Sequence, residues 1–227
     1  MTEAEWFGAA RPLKLLRYLH TLGDSSDRKF RLFGVVCCRR VEEQIPDREL
    51  AEVIESCEQL ADEVSVDDLN LKQFMQLSRV ADRSRERATR FEADCDLGYT
   101  EFAFGVSQLT EYPLHPEHCA DSCMSALCGH DDYDTGQGEM LFQADILRDV
   151  FGNPFRPVVF YPEWRKDTAV AIARAMYEAR DFSAMPILAD ALQDAGCGDD
   201  DILSHCRDEK QVHVRGCWVV DLVLGLV

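Results

Sequence analysis

The sequence has no long apolar run, and this absence excludes a membrane-spanning helix. Runs such as Cys217 to Val220 fall far short of the roughly 20 apolar residues that such a helix needs. The N-terminus also lacks the basic and apolar regions of a signal peptide, and it carries acids at Glu3 and Glu5. We therefore expect a soluble, intracellular protein that stays in the cytoplasm and does not bind membranes.

Catalytic signatures are missing as well. The chain has no phosphate loop of the form G-x-x-x-x-G-K-[ST], no H-E-x-x-H zinc helix and no G-x-S-x-G nucleophile turn. Gly136-Gln137-Gly138 lacks the third glycine of a dinucleotide-binding turn. These absences lead us to expect a non-enzymatic protein that acts through contacts with other proteins.

Positive charge is scarce beyond the first 40 residues. The net charge is −18, yet residues 1 to 40 hold eight lysines and arginines against four acids, so the remainder carries −22. Nucleic acid is an unfavourable ligand for such a body, because its binding depends on neutralising phosphates with cations. We expect a solvated acidic surface or a protein partner with a basic surface, with mimicry of nucleic acid as a further alternative.

The chain has ten cysteines but no C-x2-C pair. It is too long and too apolar for a small disulfide-linked scaffold, and nothing in it points to export, so we expect reduced thiols. Most of them are expected to be small apolar core residues. A thiol-based redox protein is another alternative, in which Arg207 and Arg215 are candidates for the cations that a reactive thiolate needs.

The spacing of apolar residues predicts a mostly α, multi-helix globular protein. Thr2 and Glu5 have the pattern of a capping box for a first helix, and Gly152 with Pro154 is typical of a helix end. The clearest amphipathic helix follows Pro46. Its apolar face comprises Leu50, Val53, Ile54, Cys57, Leu60 and Ala61, and its opposite face Glu49, Glu52, Glu55 and Glu58.

Two segments are ambiguous between helix and strand. For residues 98 to 112 we favour a helix, because Tyr99, Phe102 and Val106 fit one helical face as well as a strand. Residues 214 to 224 are apolar on nearly all sides, and they predict a buried helix or a short strand.

A polar, turn-rich segment at residues 129 to 138 is the candidate domain boundary. It separates an N-terminal helical region, residues 1 to 130, from a C-terminal helical module, residues 139 to 227.

Two groups of cysteine and histidine are candidate zinc sites, because zinc prefers four thiolate or imidazole ligands in a tetrahedron. In the C-terminal group the spacing C-x8-C-x6-H-x3-C assigns four ligands, and His205 lies beside the second of them. Those four ligands are Cys197, Cys206, His213 and Cys217. For this group the alternatives are a reactive thiol and simple packing in the core. For the other group the alternative is that the cysteines pack in the core and the histidines lie at the surface.

The second candidate group is dense but contains no zinc knuckle. Cys119 and Cys123 are four residues apart and would share one face of a helix. The candidate ligands of this group are His115, His118, Cys119, Cys123 and Cys128, with His130 just beyond them.

Several blocks of the chain resemble a family of paralogous proteins in planctomycete bacteria. The matching blocks are TEAEW, SDRKFRLFGVVCCRR, FGNPFRP, LADALQDAGC, DILSHCR and HVRGCWVVDLVLG. The resemblance is weakest from about residue 42 to 140. Family members commonly carry a further cysteine where this chain has Val35, which argues against an essential three-cysteine cluster at the N-terminus. The resemblance implies no activity.

Overall fold

The computed structural model describes residues 1–23, 26–62, 68–90, 97–110, 114–128 and 133–226. Within these ranges the chain forms twelve α-helices and no β-strand, which confirms the predicted mostly α fold. None of these helices has both the length and the apolar character needed to cross a membrane. The chain divides into two compact units, an N-terminal unit (Gly8–Ala144) and a C-terminal unit (Met1–Phe7 and Asp145–Val227).

The N-terminal unit is a group of packed helices. Their bounds are α2 (Pro12–Leu22), α3 (Asp27–Glu42), α4 (Arg48–Ala61), α5 (Asp68–Arg90), α6 (Leu97–Gln108), α7 (Pro116–Cys128) and the first part of α8 (Tyr133–Phe151). Helix α3 packs against both α4 and α7, and α6 packs against α5 and α7. The core holds large side chains from these helices and from the turn after α6, among them Leu16, Leu32, Phe33, Leu50, Ile54, Phe102 and Leu109.

Helix α4 follows its sequence pattern with one exception. Asp47 caps it by accepting the backbone N–H of Leu50 at 2.9 Å, and the predicted apolar face is buried. Glu58, predicted on the opposite face, is only 2% exposed. Arg39 of α3 donates to its carboxylate at 2.6 Å, and a buried charge needs such a partner. The helical periodicity of α4 could not predict the burial of Glu58, because the cation that pairs with it comes from α3.

The predicted helix at residues 98 to 112 is confirmed over residues 98 to 108, which belong to α6. Leu109 and Thr110 form a turn, and residues 111 and 112 lie outside the described ranges. The predicted loop at 129 to 138 is wrong from Tyr133 onward, where α8 begins. Tertiary contacts outweigh the local turn propensity there, since Arg40 donates to Glu139 at 2.9 Å. Residues 129 to 132 of that loop lie outside the described ranges.

The C-terminal unit is built from short helices around one apolar core. They are α1 (Glu3–Gly8), the end of α8, α9 (Asp167–Ala179), α10 (Met185–Asp194), α11 (Asp200–Arg207) and α12 (Trp218–Leu224), with a 3-10 turn at Pro162–Trp164. The short strand considered for residues 214 to 224 is not formed, because Trp218–Leu224 is helical. The core includes Ala173, Met176, Leu188, Leu192, Ile202, Val219 and Val223.

The first residues of the chain belong to this C-terminal unit. The predicted capping box is confirmed: the N–H of Thr2 donates to Glu5 at 2.8 Å, and the N–H of Glu5 donates to the Thr2 hydroxyl at 3.2 Å. Arg156 and Asn153 both donate to the carboxylate of Glu3, at 2.6 and 2.7 Å. The observed units therefore differ from the predicted division into residues 1 to 130 and 139 to 227, since such long-range contacts leave no local trace in sequence.

Gly152 ends α8 and lies directly against the ring of Trp218. Its φ is +68°, and a Cβ atom there would lie 3.1 Å from Cγ of the ring. We expect Gly152→Ala to lower the free energy of unfolding of this unit by about 2 kcal/mol, from backbone strain and overpacking together. Urea denaturation followed by tryptophan emission measures this value.

Gly196→Ala is the matched control for that measurement. Gly196 has a φ of +93°, but no atom lies within 4 Å of the Cβ that would be added. This variant therefore carries the backbone strain alone, at about 1 kcal/mol. Equal losses of unfolding free energy in the two variants would show that the contact with Trp218 does not contribute.

Candidate metal centre

Four potential metal ligands converge inside the C-terminal unit. They are Asp149, His205, His213 and Cys217, and their ligand atoms all lie within 4.8 Å of one another. Asp149 lies near the end of α8, His205 lies on α11, and the other two lie in the connection that leads into α12. This group could therefore hold a metal ion.

The segment from His213 to Cys217 folds back so that both ends face the same point. The N–H of Cys217 donates to the carbonyl of Val214 at 2.9 Å and closes a β-turn. Gly216, the third residue of this turn, has a φ of +91°, a conformation that favours glycine. The turn therefore places a histidine and a cysteine, four residues apart, side by side.

The distances between the ligand atoms fit one coordination sphere. Nε2 of His205 lies 3.3 Å from Sγ of Cys217 and 3.2 Å from Oδ1 of Asp149. Nδ1 of His213 lies 2.7 Å from the same Oδ1 and 3.8 Å from the same Sγ. A tetrahedral zinc ion with bonds of about 2.0 to 2.3 Å has ligands about 3.3 to 3.6 Å apart. Three of these four distances lie within a few tenths of an ångström of this range, and the 2.7 Å contact between His213 and Asp149 would have to lengthen by about 0.6 Å.

Each histidine faces the carboxylate and the thiol with the same ring nitrogen. In a catalytic relay the two nitrogens of one ring face two different partners, so that a proton can pass from one side to the other. Here Nε2 of His205 faces both Asp149 and Cys217, and so does Nδ1 of His213. Four atoms directed at a common centre are arranged as the ligands of an ion.

The centre is shielded from water. The side chain of Asp149 is fully buried, those of His213 and His205 are 6% and 13% exposed, and Cys217 is buried. Burial opposes ionisation of Asp149, but hydrogen bonds from His205 and His213 outweigh it and lower its pKa. A full negative charge therefore faces the two imidazoles.

The thiol of Cys217 is protonated unless a cation displaces its proton. Burial raises its pKa well above the ordinary value, and the charge of Asp149 raises it further. The backbone N–H groups of Val220 and Val219 point at the sulfur and act in the opposite direction, because they stabilise a thiolate. The N–H of Val214 donates to Oδ2 of Asp149 at 2.9 Å, which orients the carboxylate toward the centre.

The centre contains half of the ligands predicted for the C-terminal group. His213 and Cys217 belong to it, and His205 takes part as well. Cys197 and Cys206 lie outside it, buried in the apolar core, where burial raises the pKa of Cys206 to about 12. Asp149 was missed. The signal for it is an acid between Ile146 and Val150 on the buried side of α8.

A cavity of about 400 Å³ lies beside the centre. Of the four ligands only His213 lines it, together with side chains such as Phe182, Asp208 and Gln211. A substrate in this cavity would therefore meet one edge of the centre and would not meet Asp149, His205 or Cys217.

A second group, the thiol trio, lies in the N-terminal unit. It consists of Cys38 on α3 with Cys119 and Cys123 on α7. Sγ of Cys38 lies 3.6 Å from the sulfur of each of the other two, and all three side chains are fully buried. Hydrogen bonds from Cys123 and Cys38 lower the pKa of Cys119, whereas burial raises that of Cys38.

The trio includes two of the five ligands predicted for the second candidate group. The other three, His115, His118 and Cys128, are not part of it. The side chain of His115 is 46% exposed, and its ring lies against that of His118. His130 lies outside the described residues. Cys38 was missed because it is 81 positions from Cys119 and reaches it only through the packing of α3 on α7.

No protein-family model, curated protein or solved structure matches the chain. The resemblance to proteins of planctomycete bacteria therefore stays a prediction, and the function has to be argued from the two groups of ligands.

Proposed function

We propose that the C-terminal unit is a zinc-binding module, in which Asp149, His205, His213 and Cys217 bind one zinc ion that stabilises the fold. The observation that carries this proposal is the convergence of their four ligand atoms, each histidine presenting one nitrogen to both other ligands. Two imidazoles, one thiolate and one carboxylate suit zinc, whereas magnesium and calcium prefer oxygen ligands alone.

A structural role is favoured over a catalytic one. A catalytic zinc site keeps an open position for water or substrate, and a structural site is closed by four protein ligands. Here four protein ligands are available, Asp149 and Cys217 are buried, and only His213 borders the neighbouring cavity. The zinc ion would join the end of α8, α11 and the start of α12.

A thiol enzyme is a weaker interpretation of the same residues. A nucleophilic cysteine needs a lowered pKa and access to substrate. Burial and the charge of Asp149 raise the pKa of Cys217, and its side chain is fully buried. The wider role of a zinc-stabilised helical protein is contact with other proteins, and the expected partner with a basic surface stays a prediction.

Elemental analysis tests the proposal directly. Protein purified without a metal-affinity tag is expected to carry about one zinc ion per chain. We expect Cys217→Ser to lower the zinc content severalfold, because it removes the thiolate. Cys206→Ser is the matched control, since Cys206 is also buried in this unit but lies outside the group, and it should retain the full content.

Cobalt substitution keeps the test decisive if Cys217→Ser folds poorly. Tetrahedral cobalt bound to a thiolate absorbs visible light, so the wild-type protein loaded with cobalt should be coloured and should show a sulfur-to-metal band. A wild-type zinc content below roughly 0.1 per chain together with no uptake of cobalt would overturn the proposal.

A further inference from the structure

The thiol trio has the composition and the charge balance of a site for a trivalent, thiol-binding ion. It contains three sulfur atoms, and the described residues add no histidine or carboxylate ligand to the group. Soft thiolate ligands select soft ions over hard ones such as magnesium or calcium. The trio belongs to the N-terminal unit and is independent of the proposed zinc module.

The backbone holds the three sulfur atoms together. Cys119 and Cys123 are one turn apart on α7, and Cys38 faces both from α3. Two glycines permit this approach: a Cβ on Gly34 would lie 3.3 Å from Sγ of Cys119, and one on Gly105 would lie 3.1 Å from Sγ of Cys123. The sulfur atoms are therefore confined to one small volume.

The spacing of the sulfur atoms brings them within reach of one ion. Two of the three distances between sulfur atoms are 3.6 Å, and all three are within 4.8 Å. With bonds to sulfur of about 2.3 Å, the length of a zinc–thiolate bond, a distance of 3.6 Å corresponds to an angle of about 103° at the bound ion. Pyramidal and tetrahedral ions both accept an angle of this size, so the choice among ions rests on charge.

The charge balance distinguishes among the thiol-binding ions. Three thiolates around a zinc ion leave one net negative charge, and around a cuprous ion they leave two. Around trivalent arsenic they leave none. The three side chains are fully buried, and a buried charge without a partner is costly.

We propose that Cys38, Cys119 and Cys123 form a binding site for trivalent arsenic, or for a trivalent ion of the same chemistry such as antimony. Arsenous acid reacts with the three thiols, and three As–S bonds replace three As–O bonds. Each thiol proton leaves with one hydroxide as water, so three water molecules are released and no oxidation state changes. Because the trio is buried, we expect uptake to require local opening of α3 and α7 and therefore to be slow.

The test uses the full chain, kept reduced with a phosphine so that no added thiol competes. The protein is incubated with sodium arsenite and freed of excess reagent, and arsenic is counted by elemental analysis. We expect about one arsenic atom per wild-type chain, with three sulfur neighbours in its X-ray absorption spectrum. Cys38→Ser and Cys119→Ser should each weaken binding at least tenfold.

Cys57→Ser is the matched control, because Cys57 is also a fully buried cysteine of the N-terminal unit but lies outside the trio. It should bind arsenic as the wild type does. The proposal is overturned if the wild-type chain retains no arsenic, if its arsenic has fewer than three sulfur neighbours, or if Cys57→Ser weakens binding as much as Cys119→Ser. Displacement of arsenic by an equal concentration of cuprous ion would overturn it as well. The X-ray absorption measurement uses the wild-type chain alone, so it still tests the proposal if a variant folds poorly.

Discussion

Removal of the zinc ion proposed for the C-terminal unit, by a strong chelator at neutral pH, is expected to unfold that unit and to leave the N-terminal unit folded. Structural zinc sites in small domains contribute apparent free energies of about 10 to 16 kcal/mol. A typical domain is stable by only about 5 to 15 kcal/mol in total. Loss of an ion bound by Asp149, His205, His213 and Cys217 would therefore remove free energy comparable to the whole stability of a typical domain, and the apolar core of this unit is small.

Tryptophan emission reports this unfolding selectively. All three tryptophans of the chain, Trp6, Trp164 and Trp218, belong to the C-terminal unit, and Trp6 is fully buried. Their emission should shift to the red as the metal leaves, whereas hydrogen exchange in α3 and α7 should stay slow. Added zinc should reverse the shift, and added magnesium should not. Unchanged emission from a chain shown to be metal-free would mean that the ion has no structural role.

Replacement of Arg39 is expected to produce the largest loss of stability in the N-terminal unit. Its guanidinium donates to Glu58 at 2.6 Å and to Glu55 at 2.8 Å, and the side chain of Glu58 is only 3% exposed. Arg39→Met leaves the charge of Glu58 buried without its main partner. Breaking such a pair costs about 3 to 5 kcal/mol. Urea denaturation followed by far-ultraviolet circular dichroism, with hydrogen exchange in α3 and α4, measures the loss.

Arg48→Met is the control that makes this loss interpretable. Arg48 pairs with Glu52 at 3.1 Å on the same helix as Glu58, but the two side chains are 92% and 68% exposed. Both variants remove one positive charge from the N-terminal unit, yet an exposed pair of this kind contributes only about 0.5 kcal/mol. The double variant Arg39→Met with Glu58→Met should recover most of the loss. A loss that persists in the double variant would place the effect in packing and not in the broken ion pair.

The helices were predictable because their signals are local. The capping residues Thr2 and Asp47 and the apolar face of α4 lie within a few positions of the structure that they specify. The start of α8 was not predictable in the same way. Its first turns are polar and yet helical, and Glu139 there accepts a hydrogen bond from Arg40, which is 99 positions away. Local composition indicates only how strongly a segment favours a helix or a turn, and tertiary contacts of this kind can override that preference.

The candidate site was predictable in chemical type and only partly in membership. Residue types and spacing identified His213 and Cys217, which one short turn holds together. Asp149 was not recognised, although it lies between the apolar Ile146 and Val150, because an acid in a helix is usually exposed and its partners lie on α11 and beyond. Cys206 lies outside the group, because its position next to His205 on a helix turns the two side chains to different sides.

The separation of the ligands along the chain governs the order of events when the unit folds. Asp149 and His205 are 56 positions apart, and α9 and α10 lie between them. Bonds from one ion to both can form only after the intervening chain has closed a long loop. Contacts that form after the transition state slow unfolding and leave the folding rate nearly unchanged. The ion proposed for this centre therefore acts on the lifetime of the folded unit, and hardly on the speed with which the unit is made.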